Sequence, residues 1–138
     1  MIKFKNILLI VLFSVLVPIS LFCQFSLRIE IMGLRNSYGQ VLLEISNEKG
    51  EKIAGYNQLI ENKKCIIVLQ NFKLGNYSFK YFHDENRNWI LDANIIGIPK
   101  EGFGFSNNAK GTFGPPSLKE TIFSVKGNQT FKCVPVYY

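Results

Sequence analysis

One stretch decides the fold: Phe25–Met32, which reads FSLRIEIM. Its odd-numbered positions are all apolar, whereas Ser26, Arg28 and Glu30 between them are polar. An alternation with a period of two is typical of a strand that has one face on a core and the other in water. We therefore predict that Phe25–Met32 is a half-buried β-strand.

Short apolar stretches separated by turns recur outward from this strand. Four segments that each contain asparagine and glycine, 36–39, 47–50, 73–76 and 126–128, mark the turns. The other predicted strands are Gln40–Ser46, Ile53–Tyr56 (a short edge strand), Cys65–Gln70, Tyr77–His83, Thr121–Val125 and Gln129–Tyr138. Cys65–Gln70 is apolar on both faces, which predicts a strand in the middle of the sandwich. The last two are predicted to form a closing hairpin.

These strands predict an all-β fold: a six- to seven-stranded antiparallel β-sandwich of the immunoglobulin or transthyretin type. Outside the first 23 residues no helical pattern reaches ten residues, and Pro116–Lys119 is predicted to add one helical turn. One domain over residues 24–138 agrees with the length of the chain, 138 residues.

The segment 84–120 breaks the strand pattern, because it contains five glycines and three prolines and shows no sustained periodicity. Structureless loops of this length are uncommon in compact domains. Large apolar side chains, which disordered segments lack, occur at Trp89, Ile95, Ile96, Ile98, Phe103, Phe105 and Phe113. We therefore predict an ordered loop excursion that packs on the sandwich.

The N-terminus has the pattern of a secretory signal peptide, residues 1–23. Lys3 and Lys5 precede an almost wholly apolar run, Ile7–Val17, and that run is shorter than the roughly 20 residues of a membrane span. Cleavage is predicted after Cys23, and lipidation of Cys23 is the alternative. The mature protein is thus expected to be exported, periplasmic or extracellular, with no integral membrane span.

Charge and cysteines limit the function classes. Without Lys3 and Lys5 the formal charge falls from +6 to +4, and the remaining basic residues are scattered, which disfavours nucleic-acid binding. Cys65 and Cys133 have two interpretations, a disulfide or two buried thiols. The chain has no Cys-x-x-Cys motif, so thiol redox and zinc chemistry have no support.

A candidate metal site lies directly after the Tyr77–His83 strand. Asp84, Asn86, Asn88 and Asp92 occupy relative positions 1, 3, 5 and 9, and the Ile90 carbonyl adds an oxygen. Such spacing turns several oxygens toward one hard cation, of which calcium is the natural choice. The usual glycine and bidentate glutamate of a calcium loop are replaced by Trp89 and Ile95. The alternative is a polar turn whose side chains cap their own backbone.

Other side chains near this loop are candidates for ligand binding. Exposed aromatic rings suit sugars or peptides, although the same rings pack equally well into a satellite core. The ligand-binding candidates are His83, Trp89, Glu101, Phe103, Phe105, Asn107 and Asn108. None of the motifs pairs a nucleophilic serine or cysteine with a neighbouring base, so no catalytic residue is assigned.

Several segments together resemble a known family. Leu74–Tyr77 resembles the turn and strand of transthyretin-like and carboxypeptidase-regulatory-like sandwiches. The segments that resemble the exported bacterial family called domain of unknown function 2141 are His83–Asp92, Gly97–Asn108, Phe113–Ser117 and the aromatic end at Tyr137. The resemblance implies an exported β-sandwich and brings no established activity. The family pattern has glycines at the positions of Arg87 and Trp89.

Three functional hypotheses follow. The first is a non-enzymatic binding or structural module of the bacterial cell envelope, braced by calcium in the 84–92 loop. Its expected partner is an envelope protein or polysaccharide. The second is a secreted hydrolase that uses the acids Asp84, Asp92 and Glu101 near His83. The third is an accessory sandwich that only assembles with another protein.

Overall fold

The computed structural model describes residues 23–138. The predicted signal peptide lies outside these residues, apart from Cys23, which is exposed. The strands are β1 (Phe25–Met32), β2 (Gln40–Asn47), β3 (Lys52–Leu59), β4 (Lys64–Phe72), β5 (Gly75–Asp84), β6 (Phe103–Phe105), β7 (Phe123–Val125) and β8 (Gln129–Cys133). A turn of 3-10 helix covers Ser106–Asn108, and the short helix α1 covers Leu118–Thr121.

The strands form two sheets, which confirms the predicted all-β sandwich. One sheet has three strands in the order β4-β1-β8. The other has five, in the order β3-β2-β5-β6, with β7 pairing with β5 beside β6. The described residues thus contain eight strands, and β1 pairs with β8 in parallel while the other strand pairs are antiparallel.

The core lies between the inner faces of the two sheets. Leu27, Ile29 and Ile31 of β1 are fully buried, so the alternation predicted for Phe25–Met32 is confirmed. From the opposite sheet, Val41, Leu43 and Ile45 of β2 and Phe79 and Tyr81 of β5 join the same cluster. Burial of these side chains is the main source of stability, about 1.5–3 kcal/mol for each.

The predicted closing hairpin is wrong, because β7 and β8 belong to different sheets. β7 pairs with β5, whereas β8 pairs with β1. The rings of Phe123 on β7 and Phe131 on β8 meet across the core with centroids 4.5 Å apart. The two strands therefore contribute apolar side chains to the core from opposite sheets.

Two further strand predictions need correction. β4 lies at the edge of its sheet rather than in the middle, and its outward side chains Ile66 and Val68 are 44% and 48% exposed. An apolar run on both faces therefore does not show that a strand lies in the middle of its sheet. The predicted edge strand Ile53–Tyr56 does lie at an edge, but it extends over Lys52–Leu59.

The two buried cysteines do not form a disulfide. Cys65 on β4 and Cys133 on β8 both lie beside Ile31, on opposite sides of β1. Two strand spacings put their Cα atoms about 10 Å apart, beyond the roughly 7 Å that a disulfide can span. Of the two interpretations, the structure therefore shows two free, buried thiols.

The segment 84–120 is ordered on the sandwich by short elements. β6 adds to β5 through Phe82↔Phe103 and Lys80↔Phe105. The helical turn predicted at Pro116–Lys119 appears as α1, which begins after a capping box formed by Ser117 and Glu120. β6 is the element that the sequence did not predict, and it forms one wall of the candidate site.

Candidate functional site

The 84–92 loop begins at the end of β5 and folds around the carboxylate of Asp84. This side chain is fully buried. Its Oδ1 accepts a hydrogen bond from the Asn88 amide at 3.0 Å, and its Oδ2 accepts from the Trp89 amide at 3.1 Å. The Gln40 side chain also donates to Oδ2, at 3.0 Å. Four residues of chain are thereby wrapped around one buried charge.

The other predicted metal ligands meet in the same loop. Asn86 Oδ1 accepts from the Asn88 amide at 3.1 Å, and Asn88 Oδ1 accepts from the Ile90 amide at 2.9 Å. The Nδ2 groups of Asn86 and Asn88 both donate to the carboxylate of Asp92, at 2.6 and 3.1 Å. These contacts are those of the polar-turn interpretation, in which side chains cap the backbone.

Two residues of the loop adopt backbone angles that favour glycine. Arg87 has φ 59° and Trp89 has φ 67°. The resemblance described above implies glycine at these two positions, so the loop has a glycine-type conformation without glycine. Each left-handed residue costs about 1–2 kcal/mol, and the hydrogen bonds to Asp84 offset that cost.

The carboxylate of Glu101 binds both ends of the 84–92 loop. It is 4% exposed, its Oε1 accepts from the Glu85 amide at 2.8 Å, and its Oε2 accepts from the Asp92 amide at 3.1 Å. Glu85 in turn forms an ion pair with Arg35 and accepts a hydrogen bond from Asn36. Burial opposes ionisation of Glu85, but the hydrogen bonds from Arg35 and Asn36 outweigh it and lower the pKa of this carboxyl.

His83 has a fixed structural environment. It is fully buried, and its Nε2 lies 2.8 Å from the Tyr38 carbonyl oxygen, which can only accept, so Nε2 carries a proton. Its Nδ1 lies 3.1 Å from the Tyr137 hydroxyl, which can donate to it. Because both ring nitrogens have protein partners, the arrangement does not favour the hydrolase hypothesis.

The loop offers few side-chain groups to a metal ion. Within residues 23–138, no three His, Cys, Asp or Glu side chains lie close enough together to hold a metal ion. Both oxygens of Asp84 already accept backbone amides, so Asp84 anchors the loop rather than offering a free oxygen. The remaining oxygens are the carboxylate of Asp92, the amide oxygens of Asn86 and Asn88, and backbone carbonyls such as that of Ile90. The two asparagine oxygens already accept backbone amides, so the donor set fits a weak oxygen site at best.

A groove lies on the outer face of the five-stranded sheet, beside this loop. Its volume is about 560 Å³, within the range of ligand sites. Cross-strand pairing builds it in rows: Leu42 opposes Phe82, and Phe82 opposes Phe103. The apolar residues that line it include Leu42, Tyr56, Phe82, Trp89, Leu91, Phe103 and Phe105.

The next row along the sheet is charged. Glu44 opposes Lys80 on β5 and Gly55 on β3, and Lys80 opposes Phe105. The carboxylate of Glu44 lies 3.0 Å from Lys80 Nζ and 3.2 Å from Lys52 Nζ. Burial opposes ionisation of Glu44, but these two lysines outweigh it and lower its pKa, so the acid stays charged.

Three of the ligand-binding candidates come together in this groove. Trp89, which is 62% exposed, reaches it from the loop, and Phe103 and Phe105 reach it from β6. His83 and Glu101 instead lie buried behind the loop. Asn107 and Asn108 bind backbone carbonyls of Ile122 and Lys132 at 2.9 Å, which fastens the excursion to the strands.

Several groove residues were not predicted from the sequence. Leu42 and Phe82 are apolar residues on the outward faces of β2 and β5, where alternation predicts polar side chains. These two outward-facing apolar residues could have indicated the groove, because apolar residues outside the core often mark an interaction surface.

A polar hollow lies on the other side of the loop. Arg35, Tyr38, Asp92 and Lys100 contribute to its lining, and its volume is about 530 Å³. Since Arg35, Asp92 and Glu101 in this hollow already have partners within the loop network, the aromatic groove is the better candidate site.

Comparison with known proteins gives one match. Searches of curated proteins and of solved structures each returned no match to this chain. Across residues 23–138, no helix is long and apolar enough to cross a membrane. A family model, described as an uncharacterized protein conserved in bacteria (DUF2141), matches residues 29–132. Because this match covers well over half of the chain, the protein belongs to the domain of unknown function 2141 family.

Proposed function

We propose that the protein is an exported, non-enzymatic binding module of the bacterial cell envelope, which holds its ligand in the aromatic groove. Export rests on the signal-peptide pattern of residues 1–23. The partner we expect is an envelope component, either a polysaccharide or a protein that presents an apolar group. One observation carries the proposal: the loop anchored on buried Asp84 holds Trp89 at the groove.

The groove has the features of a recognition surface. Phe82, Phe103 and Phe105 are only partly buried, so apolar area stays in contact with water on a sheet face that is polar in most sandwiches. Each ring that a ligand covers contributes roughly 25 cal/mol per Å² of apolar area. Trp89 adds a large flat surface that stacks on rings and sugars alike.

We further propose that calcium braces the 84–92 loop. Asp84, Asn86, Asn88 and Asp92 lie in one turn, and Trp89 has the left-handed conformation that calcium loops give to glycine at this position. Because two asparagine amides compete for Asp92, affinity in the millimolar range is expected, which suits the exterior of a cell.

Calcium titration with thermal melting tests the brace. Saturation at ten times the dissociation constant would stabilise the protein by about 1.4 kcal/mol. Asp92→Asn should abolish that gain, whereas Glu61→Gln, on an exposed acid outside the loop, should keep it. An unchanged melting temperature at millimolar calcium would remove the metal from the proposal and leave the groove untouched.

The groove itself is tested with a neutral apolar dye, N-phenyl-1-naphthylamine. Trp89 is the only tryptophan of the chain, so its fluorescence reports binding directly. Leu42→Glu should abolish binding. Val68→Glu is the matched control, because Val68 is an exposed apolar residue on the outer face of the other sheet. Equal dye binding by both variants would contradict the proposed site.

Cell fractionation tests export independently. Removal of residues 1–23 should leave the protein in the cytoplasm, whereas the full chain should be recovered outside it. Recovery of the full chain in the cytoplasm would contradict the localisation.

A further inference from the structure

We infer that the groove selects an amphiphile with an apolar body and one anionic headgroup, with the body toward Trp89 and the head at Lys52 and Lys80. This inference rests on the proposed function, since it names the class of ligand for the same groove. It follows from the order of the rows along the sheet and from their charge.

The lining of the groove changes from charged to apolar along β5. Lys80 lies at one end, Phe82 is two residues further along the same face, and the loop that carries Trp89 follows Asp84. Residues two apart on a strand lie about 7 Å from each other on one face. A ligand lying along β5 therefore passes from a charged row to an apolar row and then to the indole.

The charged end has an excess of positive charge. Two ammonium groups share the single carboxylate of Glu44, at 3.0 and 3.2 Å, which leaves one positive charge without a partner in this trio. An ammonium group has three donors, and each lysine uses one toward Glu44. The remaining donors of Lys52 and Lys80 are available to an anion that lies in the groove.

Gly55 lies beneath the Lys52 side chain at the charged end of the groove. A Cβ atom at Gly55 would lie 3.6 Å from Cε and Nζ of Lys52, so the lysine chain lies across the glycine. The Lys52 chain thus packs over the backbone of Gly55 and reaches Glu44 on the neighbouring strand. Two strands, β3 and β5, therefore contribute a cation each to this end of the groove.

The charge of the headgroup determines how well each class of amphiphile binds in the groove. A cationic amphiphile meets two ammonium groups and one carboxylate, and is repelled on balance. A neutral amphiphile covers the rings but displaces water from the lysines without replacing its hydrogen bonds. An anion covers the rings and also pairs with the lysines, and charge-assisted hydrogen bonds are the stronger kind.

Three amphiphiles of equal chain length test the inference: decanoate, 1-decanol and decyltrimethylammonium, all below micelle formation, with Trp89 fluorescence as the readout. We expect decanoate to bind at least tenfold more tightly than the other two at low salt. Lys52→Gln with Lys80→Gln should lower decanoate affinity to that of decanol or below it, because the Glu44 carboxylate remains, and should leave decanol unchanged. The control pair Lys110→Gln with Lys126→Gln, which does not line the groove, should change neither.

Glu44→Gln is a second variant whose expected effect cannot come from unfolding. Removal of the competing carboxylate should raise decanoate affinity severalfold and leave decanol binding as it was. Equal affinity for decanoate and decanol in the unmodified protein would overturn the charge selection but leave the binding module standing. Failure of all three amphiphiles and of N-phenyl-1-naphthylamine to bind would instead remove the proposed function itself.

Discussion

The hydroxyl of Tyr137 lies 3.1 Å from Nδ1 of the buried His83, and the two residues are separated by 54 positions in the chain. The same hydroxyl accepts a hydrogen bond from the Arg35 amide at 3.1 Å. One side chain thus joins the C-terminal tail, the end of β5 and the connection after β1. This junction holds the start of the 84–92 loop in place.

Tyr137→Phe should destabilise the protein by about 1–3 kcal/mol, because it leaves a buried ring nitrogen and a backbone amide without a partner. Tyr138→Phe is the matched control, since Tyr138 is 75% exposed, and it should change stability by less than about 0.5 kcal/mol. Chemical denaturation measures both. Equal stabilities for the two variants would show that the hydrogen bonds of the Tyr137 hydroxyl do not contribute to the free energy of unfolding.

Gly39→Ala should be among the most damaging single-methyl substitutions. Gly39 has φ +73°, and an added Cβ would meet the backbone oxygen of Asp84 far inside van der Waals contact. The combined cost of overpacking and of the left-handed conformation is about 3 kcal/mol. Gly127→Ala, at a glycine with open space around it, is expected to be nearly neutral in the same denaturation experiment.

Arg87→Gly should stabilise the protein, in contrast to most glycine substitutions. The left-handed conformation at φ 59° costs about 1–2 kcal/mol for arginine, whereas the added freedom of glycine in the unfolded chain costs roughly 0.5–1 kcal/mol. A net gain near 0.5 kcal/mol is expected. Lys110→Gly, at an exposed residue without this conformation, should lower stability by a similar amount.

Glu85 should make the protein sensitive to acid. Hydrogen bonds from Arg35 and Asn36 outweigh the burial of this carboxyl and lower its pKa from the ordinary 4.5. A lowered folded-state pKa contributes stability that is full above pH 4.5 and is lost as the pH falls through the folded value. Stability curves of Glu85→Gln should therefore lose part of the slope below pH 4.5, and a slope identical to the parent would contradict this assignment.

Cys65 and Cys133 should be inert in the folded protein. Burial raises the pKa of both thiols to about 12, and the thiolate is the reactive form. Alkylation at pH 8 should modify neither residue until denaturant is added, after which both should react. A disulfide between them found by mass mapping of native protein would contradict the strand order around Ile31.

The sequence predicted those features that depend on local pattern. Alternation in Phe25–Met32 identified the buried face of β1, and the oxygen-bearing residues located the 84–92 loop. β6 was missed because Phe103–Phe105 is only three residues long and lies among glycines, so it forms only by pairing with β5. Tertiary pairing overrides local preference in such a case.

The groove depends on strand order, which periodicity does not supply. Leu42, Phe82 and Phe103 are far apart in the chain and meet only because β2, β5 and β6 are neighbours. The exposure of Ile66 and Val68 has the same origin: an apolar run identifies a strand but not whether that strand has neighbours on both sides.

The parallel pairing of β1 with β8 joins the first strand of the described chain to the last. A nascent or truncated chain that lacks Gln129–Cys133 cannot complete the three-stranded sheet, and it presents one edge of β1 to other chains. Unprotected strand edges with apolar side chains seed aggregation. β8 is therefore needed to cover this edge of β1, and the three-stranded sheet cannot form before residues 129–133 have been synthesised.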